Sequence, residues 1–171
     1  MKNIYIVSIV LLLVAVITVY VLKTYNKLIL LRNESEKKHK EIEKLVHERF
    51  SLANTYIQVL NRVIDQNTLN TLVTLVNRYN ISDKEDVFRY YIDLSSILNS
   101  IEVSLINAGI VASPLPEWFD TFHKNAENIE KIRTEYNDIS LKINNAISSS
   151  PTNIIGKLFG FKKINIFPIT Q

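Results

Sequence analysis

An uncharged run of nineteen residues, Ile4–Leu22, constrains this chain more than any other feature. As an α-helix it would extend about 29 Å, close to the roughly 30 Å thickness of a bilayer's hydrocarbon core. A cleaved signal peptide has a shorter apolar stretch followed by small residues, whereas VLKTYNK follows here. A helix in a soluble core is usually interrupted by polar residues over this length. The run therefore predicts a transmembrane helix over 4–22, within an N-terminal anchor at 1–23.

The two flanks of the apolar run differ in positive charge. Lys2 precedes it, and six basic side chains follow it within eighteen residues: Lys23, Lys27, Arg32, Lys37, Lys38 and Lys40. Lys and Arg are enriched on the cytoplasmic side of membrane helices. We therefore expect a single-pass protein of the cell membrane, with its N-terminus outside and its domain in the cytoplasm.

The rest of the chain has the composition of a helical domain of ordinary size. After Lys23, eighteen basic residues face seventeen acidic ones, so net charge gives no general attraction for nucleic acid. Only three Gly and four Pro occur, which argues against a turn-rich β fold. The absence of Cys excludes disulfides, a thiolate nucleophile and a cysteine zinc site.

Apolar residues then recur at steps of three and four, the spacing of a helix that packs on other helices. The first stripe is Ile42, Val46, Phe50, Ala53, Ile57, Leu60 and Ile64, and the second is Val87, Tyr91, Leu94, Leu98, Ile101 and Leu105. No Gly or Pro occurs between 23 and 64, so the membrane helix is expected to continue into the first stripe. Asp65–Asn67 predicts a turn, and a shorter helix follows it.

Local signals predict where the later helices begin and end. Ser82–Glu85 reads as a capping box that opens the second long helix, and Gly109 suits the left-handed residue that ends it. Pro116 can open a fourth helix, which Ser148–Pro151 ends. The predicted fold class is all-α: an N-terminal transmembrane helix followed by an antiparallel bundle of about four helices in a domain at 24–150.

The segment 151–171 is apolar and aromatic but carries Lys157, Lys162 and Lys163. A disordered tail would be polar, so this one is expected to dock. It could pack on the bundle, or Phe and Ile could insert into the membrane surface while Lys meets lipid headgroups. The candidate residues for an interaction or membrane contact are Trp118, Phe159, Phe161, Lys162 and Lys163.

The last third of the chain carries a pattern of spaced residues. Its members are Glu127–Ile129, Arg133, Tyr136-Asn137, Asn144, Ile147, Pro151–Ile155, Leu158–Phe161 and Phe167. This pattern resembles the C-terminal signature of the LemA family, and Tyr25–Leu28 with Arg32 resembles that family's segment after the anchor. The resemblance implies an N-terminal anchor, a helical-bundle domain and no established enzymatic activity.

The middle of the chain departs from the LemA pattern. Family members carry an arginine-aspartate pair and a leucine-isoleucine-proline step in the first long helix, but here Phe50 follows Arg49 and neither the aspartate nor the proline is present. Ser150-Pro151 stands where a Phe-Pro pair is usual. The resemblance is therefore to a divergent member.

Few residues suggest chemistry. His39 and His47 are eight residues apart, about 12 Å along a helix, too far to share a metal, and no metal-binding, phosphate-loop or nucleophile motif occurs. We expect no catalytic residue, cofactor or metal. Arg133, Asn137 and Asn144 share one helix face and are either a solvated flank or a polar network that holds the fourth helix against the tail.

The leading functional hypothesis is a non-enzymatic interaction module: a membrane-tethered bundle whose partners are the lipid bilayer and an unidentified protein, with no nucleic acid. The alternative is a protein that acts on the lipid surface through its apolar, basic tail. An enzyme is a third hypothesis, which a deep polar pocket would favour.

Overall fold

The computed structural model describes residues 2–81, 86–109 and 115–167, and these form five α-helices and no strand. The helices are α1 (Lys2–Leu60), α2 (Gln66–Ile81), α3 (Val87–Asn107), α4 (Leu115–Ser148) and α5 (Thr152–Leu158). The predicted all-α class is thus confirmed over this part of the chain. The predicted continuation of the apolar N-terminal run into the next helical stretch is also confirmed, because α1 has no interruption from residue 2 to 60.

α1 ends earlier than the apolar stripe predicted. The turn occupies residues 61–65 rather than 65–67. Asp65 then starts α2, because its carboxylate Oδ1 accepts hydrogen bonds from the backbone amides of Asn67 at 3.0 Å and Thr68 at 2.9 Å. These bonds satisfy two of the donors that the first turn of a helix leaves free.

The ends of α3 and α4 can be compared with the predicted start and stop signals. The Asp86 side chain caps α3 by accepting from the amide of Arg89 at 3.2 Å, whereas the predicted capping box at 82–85 lies outside the described residues. Gly109 ends α3 with φ +66°, the left-handed conformation predicted for it. α4 ends at Ser148, the first residue of the predicted stop at Ser148–Pro151, so that end is confirmed. The loop at 110–114 lies outside the described residues.

The chain divides into two compact units. Unit 1 consists of Met1–Lys38 and Glu135–Ile166, and unit 2 of His39–Thr134 and Phe167–Gln171. The expected division of the chain at residues 23 and 150 stays a prediction.

Unit 1 has a small core where α1 and α4 pack. Its buried apolar residues are Leu28, Tyr136, Ile139, Ile143 and Ile155. Buried Ser35 and Ser140 face each other at 3.4 Å between hydroxyl oxygens, and Lys38 Nζ lies 2.6 Å from Glu135 Oε2. A later residue of α1 therefore contacts an earlier residue of α4, so the two helix segments are antiparallel within this unit.

Unit 2 holds the larger core. All six predicted stripe positions of α3 are buried, and so are five of the seven predicted for α1: Ile42, Val46, Phe50, Ala53 and Leu60. The other two, Ile57 and Ile64, are half-buried. Aromatic rings fill the centre: Phe50 stacks on Tyr79 with 3.8 Å between ring centroids, and Trp118 stacks on Tyr56 at 4.9 Å.

Candidate membrane-contact site

Most of the apolar run of α1 is not covered by protein. α1 contains the one segment, among the described residues, that is long and apolar enough to cross a membrane, and none of its most apolar window is buried. Residues 3–20 are all exposed, with Leu12 at 66% and Ile4 at 69%. A core helix that passes the same length test is mostly buried.

The short helix α5 lies beside the end of that apolar run. The Tyr20 hydroxyl, in the last turn of the run, is 3.4 Å from the Thr152 hydroxyl at the start of α5. The ring of Tyr25 lies 4.7 Å from that of Phe159 and 6.0 Å from that of Phe161, between centroids. Tyr20 and Tyr25 are about 7.5 Å apart along α1, so α5 spans the level at which the run ends at Leu22.

A glycine allows α5 to approach α4 closely. Gly156 is buried, and a Cβ there would lie 3.2 Å from Cβ of Ile147 and 3.3 Å from its Cγ2. Ile155 beside it is 4% exposed. One face of α5 therefore packs on protein. At Gly156 the backbone of α5 lies against the Ile147 side chain of α4, and next to it the Ile155 side chain is buried.

α5 ends in a turn that reverses the chain. Gly160 has φ +70°, its amide donates to the carbonyl of Lys157 at 3.3 Å, and the Phe161 amide donates to that of Gly156 at 2.9 Å. This pair of bonds is a Schellman motif, in which a left-handed residue without a Cβ carries no steric penalty. The turn directs Phe161 back towards Tyr25.

Asn144 binds the segment that follows this turn. Its Nδ2 donates to the carbonyl of Ile164 at 2.8 Å, and its Oδ1 accepts from the Ile164 amide at 2.8 Å. The Tyr136 hydroxyl donates to the carbonyl of Asn165 at 3.0 Å. Burial raises the pKa of Tyr136, and hydrogen bonds with Ser140 and Ser35 oppose that rise. Residues 164–165 are thus attached to α4 by polar side chains.

The opposite face of α5 is apolar and uncovered. Ile154 and Leu158, four residues apart and therefore on one face, are 66% and 74% exposed, and Phe159 is 47% exposed. Lys157, Lys162 and Lys163 are exposed next to them, as are Lys23 and Lys27 of α1. No Asp or Glu occurs in 1–33 or 149–171, so no acidic residue of these two segments offsets the lysines.

The sequence-predicted residues fall into different places. Arg133 forms an ion pair with Glu130 in unit 2, whereas Asn144 binds Ile164 in unit 1. Asn137 is half-buried on α4. Trp118 is 1% exposed, so we correct its assignment: its ring belongs to the core of unit 2 and not to a contact surface. Phe159, Phe161, Lys162 and Lys163 lie together in and after the α5 turn.

A buried arginine in unit 2 was not predicted. Arg49 is 3% exposed, and its Nη1 donates to the carbonyl of Phe122 at 2.7 Å while its guanidinium lies over the Phe122 ring, 4.9 Å from the centroid. Asn125 lies alongside, 3.5 Å from Nη1, and donates to the carbonyl of Leu45 at 3.1 Å. Burial lowers the pKa of Arg49, and the Tyr91 phenol opposes this. These contacts join α1 to α4 within unit 2, which is a packing role.

Two of the histidines, His39 and His123, each pair with one glutamate. No group of three potential ligands is placed to hold a metal ion among the described residues. His39 Nδ1 lies 3.3 Å from Glu43 Oε1, and His123 Nε2 lies 3.0 Å from Glu102 Oε1. These pairs join neighbouring turns or neighbouring helices.

Unit 2 also has an open groove of about 560 Å³ between α2 and α3. Six of its eight lining residues are polar, and their aliphatic parts add apolar surface; the residues are Asn70, Thr71, Thr74, Leu75, Arg78, Asp93, Ser96 and Ile97. Such a surface offers hydrogen-bond donors, hydrogen-bond acceptors and apolar side chains to a partner.

Comparison with known proteins gives no relative: no family model, no curated protein and no solved structure matches the chain.

Proposed function

We propose that this chain is a membrane-anchored helical-bundle protein of LemA-like type, which works by binding a partner protein and not by catalysis. The observation that carries the proposal is the uncovered apolar segment of α1, exposed from residue 3 to 20. In water that surface would carry a large unfavourable hydration free energy, because each buried CH₂ gains about 0.8 kcal/mol. In a bilayer the same side chains lie in their preferred solvent.

The remaining structure supports a retained anchor over a cleaved signal peptide. α1 continues through residue 60 and supplies the core of unit 2 with Val46, Phe50 and Ala53. The test is alkaline carbonate extraction of membranes that contain the full chain. We expect the protein to stay in the membrane pellet at its full length; a shorter mature chain in the soluble fraction would refute the anchor.

We propose that the domain faces the cytoplasm, because the lysines and arginines after the apolar run outnumber those before it. Protease added outside intact cells should leave the domain whole and should digest it once the membrane is permeabilised. Digestion in intact cells would reverse the orientation. Antibody access to an epitope placed after Gln171 gives a second, independent measurement of the side of the membrane on which the domain lies.

The LemA-like assignment is supported by where the resembling residues lie. Tyr136 and Asn144 of α4 bind the segment at 164–165, and Leu158–Phe161 forms the turn between them and α1. Residues that are far apart in the signature therefore take part in the same unit. We accordingly propose an antiparallel bundle of about four helices as the family-like architecture.

The interaction role is supported by how unit 2 uses its polar groups. Arg49 is buried against Phe122, and Glu130 pairs with Arg133, so these charges serve packing. The groove between α2 and α3 is the surface we propose for a partner protein, since its lining combines Thr, Asn, Arg and Asp with Leu75 and Ile97.

Photo-crosslinking in intact membranes tests this role. A photoreactive residue at Thr74, in the groove, should give a discrete protein adduct that mass spectrometry identifies. The same residue at Lys131, exposed on α4 in the same unit, is the matched control and should not give that adduct. Equal adduct patterns from both positions would refute the groove as a specific binding surface.

Action on lipid is the second candidate, and the exposed apolar side chains of α5 favour it. A protein that acts on lipid should release trapped dye from vesicles, or mix their lipids, in proportion to the amount reconstituted. An anchored interaction module should leave the vesicles intact, so the two candidates give opposite results.

A further inference from the structure

We propose that α5 and the turn after it form an interfacial foot: a surface of unit 1 that lies in the headgroup layer of the membrane and binds anionic lipid. The foot consists of residues 154–163, and this inference rests on the proposed anchor. Its partner is the bilayer into which α1 inserts.

The first argument is depth. The contacts of α5 with α1 bracket the end of the apolar run, Tyr20 on one side of Leu22 and Tyr25 on the other. If residues 4–22 span the hydrocarbon core, α5 lies at the boundary between that core and the headgroups. Tyr is enriched at this boundary, where Tyr20 and Tyr25 lie, and Phe159 and Phe161 pack against Tyr25.

The second argument is the orientation of apolar surface. Gly156 and Ile155 pack on protein, while Ile154 and Leu158 point away from it at 66% and 74% exposure. Leu158 is more exposed than Leu12 and Ile4 of the apolar run, which are 66% and 69% exposed. A helix with one packed face and one uncovered apolar face, at this depth, buries the second face in lipid.

The third argument is charge. Lys157, Lys162 and Lys163 are exposed around the apolar pair, and Lys23 and Lys27 are exposed on the adjoining part of α1. Neither segment contributes an acidic side chain, because 1–33 and 149–171 contain none. Basic side chains beside a membrane exit attract anionic headgroups, and their long stems allow the charge to reach the headgroup layer.

Depth-dependent quenching in vesicles tests the foot. The chain has no Cys, so one introduced Cys gives a unique site for a fluorophore that senses its environment. The full chain is reconstituted as Leu12→Cys, Leu158→Cys or Asn128→Cys, the last being exposed on α4 in unit 2. The vesicles contain phosphatidylcholine with about 30% phosphatidylglycerol, and quenchers are placed on lipid chains either near the headgroup or near the chain end.

The label at residue 158 should be quenched by the shallow quencher, roughly two-fold or more above the label at 128. The label at residue 12 should be quenched most by the deep quencher. If residue 158 behaves like residue 128 while residue 12 is quenched, the foot is refuted and the anchor stands. If residue 12 is not quenched either, the proposed anchor itself fails. If the label at residue 158 is shielded from water but is not quenched by either lipid quencher, protein covers that residue, and this result would also refute the foot.

A charge series tests the lipid class. Lys157→Gln, Lys162→Gln and Lys163→Gln are combined in the Leu158→Cys chain, and the matched control combines Lys124→Gln, Lys131→Gln and Lys142→Gln, all exposed on α4. Shallow quenching at 158 should fall in the first triple variant to the level seen in pure phosphatidylcholine, and it should not change in the control. Equal quenching in both triples would refute anionic-lipid recognition. Circular dichroism checks that both variants keep wild-type helicity.

Discussion

Two stretches of the same helix, residues 3–20 and 42–60 of α1, use apolar side chains in opposite ways. In the first, apolar residues surround the whole helix and every one is exposed. In the second, they follow a stripe at steps of three and four, and Ile42, Val46 and Phe50 are at most 2% exposed. The first stretch is apolar almost throughout and has no charged residue, whereas the second also carries charged side chains such as Lys44 and Glu48 and confines its apolar residues to one face of the helix. The second stretch therefore packs on neighbouring helices, whereas the first has the length and composition of a candidate membrane span.

The largest expected effect comes from charging the first stretch. Leu13→Arg together with Val16→Arg places two cations at the centre of the apolar run. Each costs about 2.5–3.5 kcal/mol at the centre of a membrane helix, so the pair should cost about 5–7 kcal/mol and abolish insertion. Carbonate extraction should then find the chain in the soluble or aggregated fraction.

The matched control adds the same charges outside the run. Leu30→Arg with Asn33→Arg changes two exposed residues of α1, and membrane retention should not change. If the Leu13/Val16 double variant is fully retained in the membrane fraction, the first stretch is not a membrane-spanning segment and the proposed contrast between the two stretches fails.

The next largest effect is a cavity in the second stretch. Phe50→Ala removes a ring that is 2% exposed and stacked on Tyr79, and it should lower the free energy of unfolding by about 3–5 kcal/mol. Fluorescence of Trp118, the only tryptophan of the chain and buried in unit 2, follows thermal unfolding in mild detergent. Leu13→Ala should leave this transition in place, since Leu13 is 55% exposed. Equal shifts for both variants would contradict the comparison.

A smaller effect is expected from a polar contact in unit 1. Asn144→Ala removes both hydrogen bonds to Ile164 and should cost about 1–3 kcal/mol. Hydrogen exchange at the Ile164 amide should become faster, because that amide loses its acceptor. Asn145→Ala, on an exposed side chain of the same turn, is the control. Unchanged exchange in the Asn144 variant would show that the tail is held by other contacts.

The smallest effect is a pH dependence at the start of α2. Hydrogen bonds from Thr68 and Asn67 hold the pKa of Asp65 below its ordinary value. A lowered folded-state pKa adds stability above the unfolded-state pKa of about 3.9, and this stability disappears as pH falls through the folded-state pKa. Asp65→Asn keeps a capping oxygen but does not titrate, so its Tm should fall less than that of the wild type between about pH 5 and pH 2. Parallel Tm curves would exclude this contribution.

The sequence predicted those features that repeat over many residues. The α3 stripe is buried at all six positions because 21 helical residues give the pattern several periods. Ile64 was assigned to the α1 stripe, but it lies in the turn after Leu60, where helical spacing no longer applies. Asp65 was read as part of a turn, and its role as the cap of α2 depends on a local hydrogen-bond geometry.

Features that depend on distant parts of the chain were only partly predictable. Phe159, Phe161, Lys162 and Lys163 stood out by composition, but α5 has seven residues, too few for helical periodicity to mark Ile154 and Leu158. Arg49 and Asn125 are 76 residues apart, and neither has a local partner that points to the other. Trp118 was proposed as an interaction or membrane-contact residue, and its burial could not be predicted because the ring that stacks on it, Tyr56, comes from α1.

The two bonds between Asn144 and Ile164 restrict which side chain position 144 tolerates. A carboxylate could accept from the amide but could not donate to the carbonyl, an aliphatic isostere could do neither, and glutamine is longer by one methylene. Ile164, by contrast, takes part in both bonds only through its backbone amide and carbonyl, so these bonds place no restriction on its side chain. Among homologous chains with this architecture, position 144 should stay asparagine while position 164 varies in size and shape.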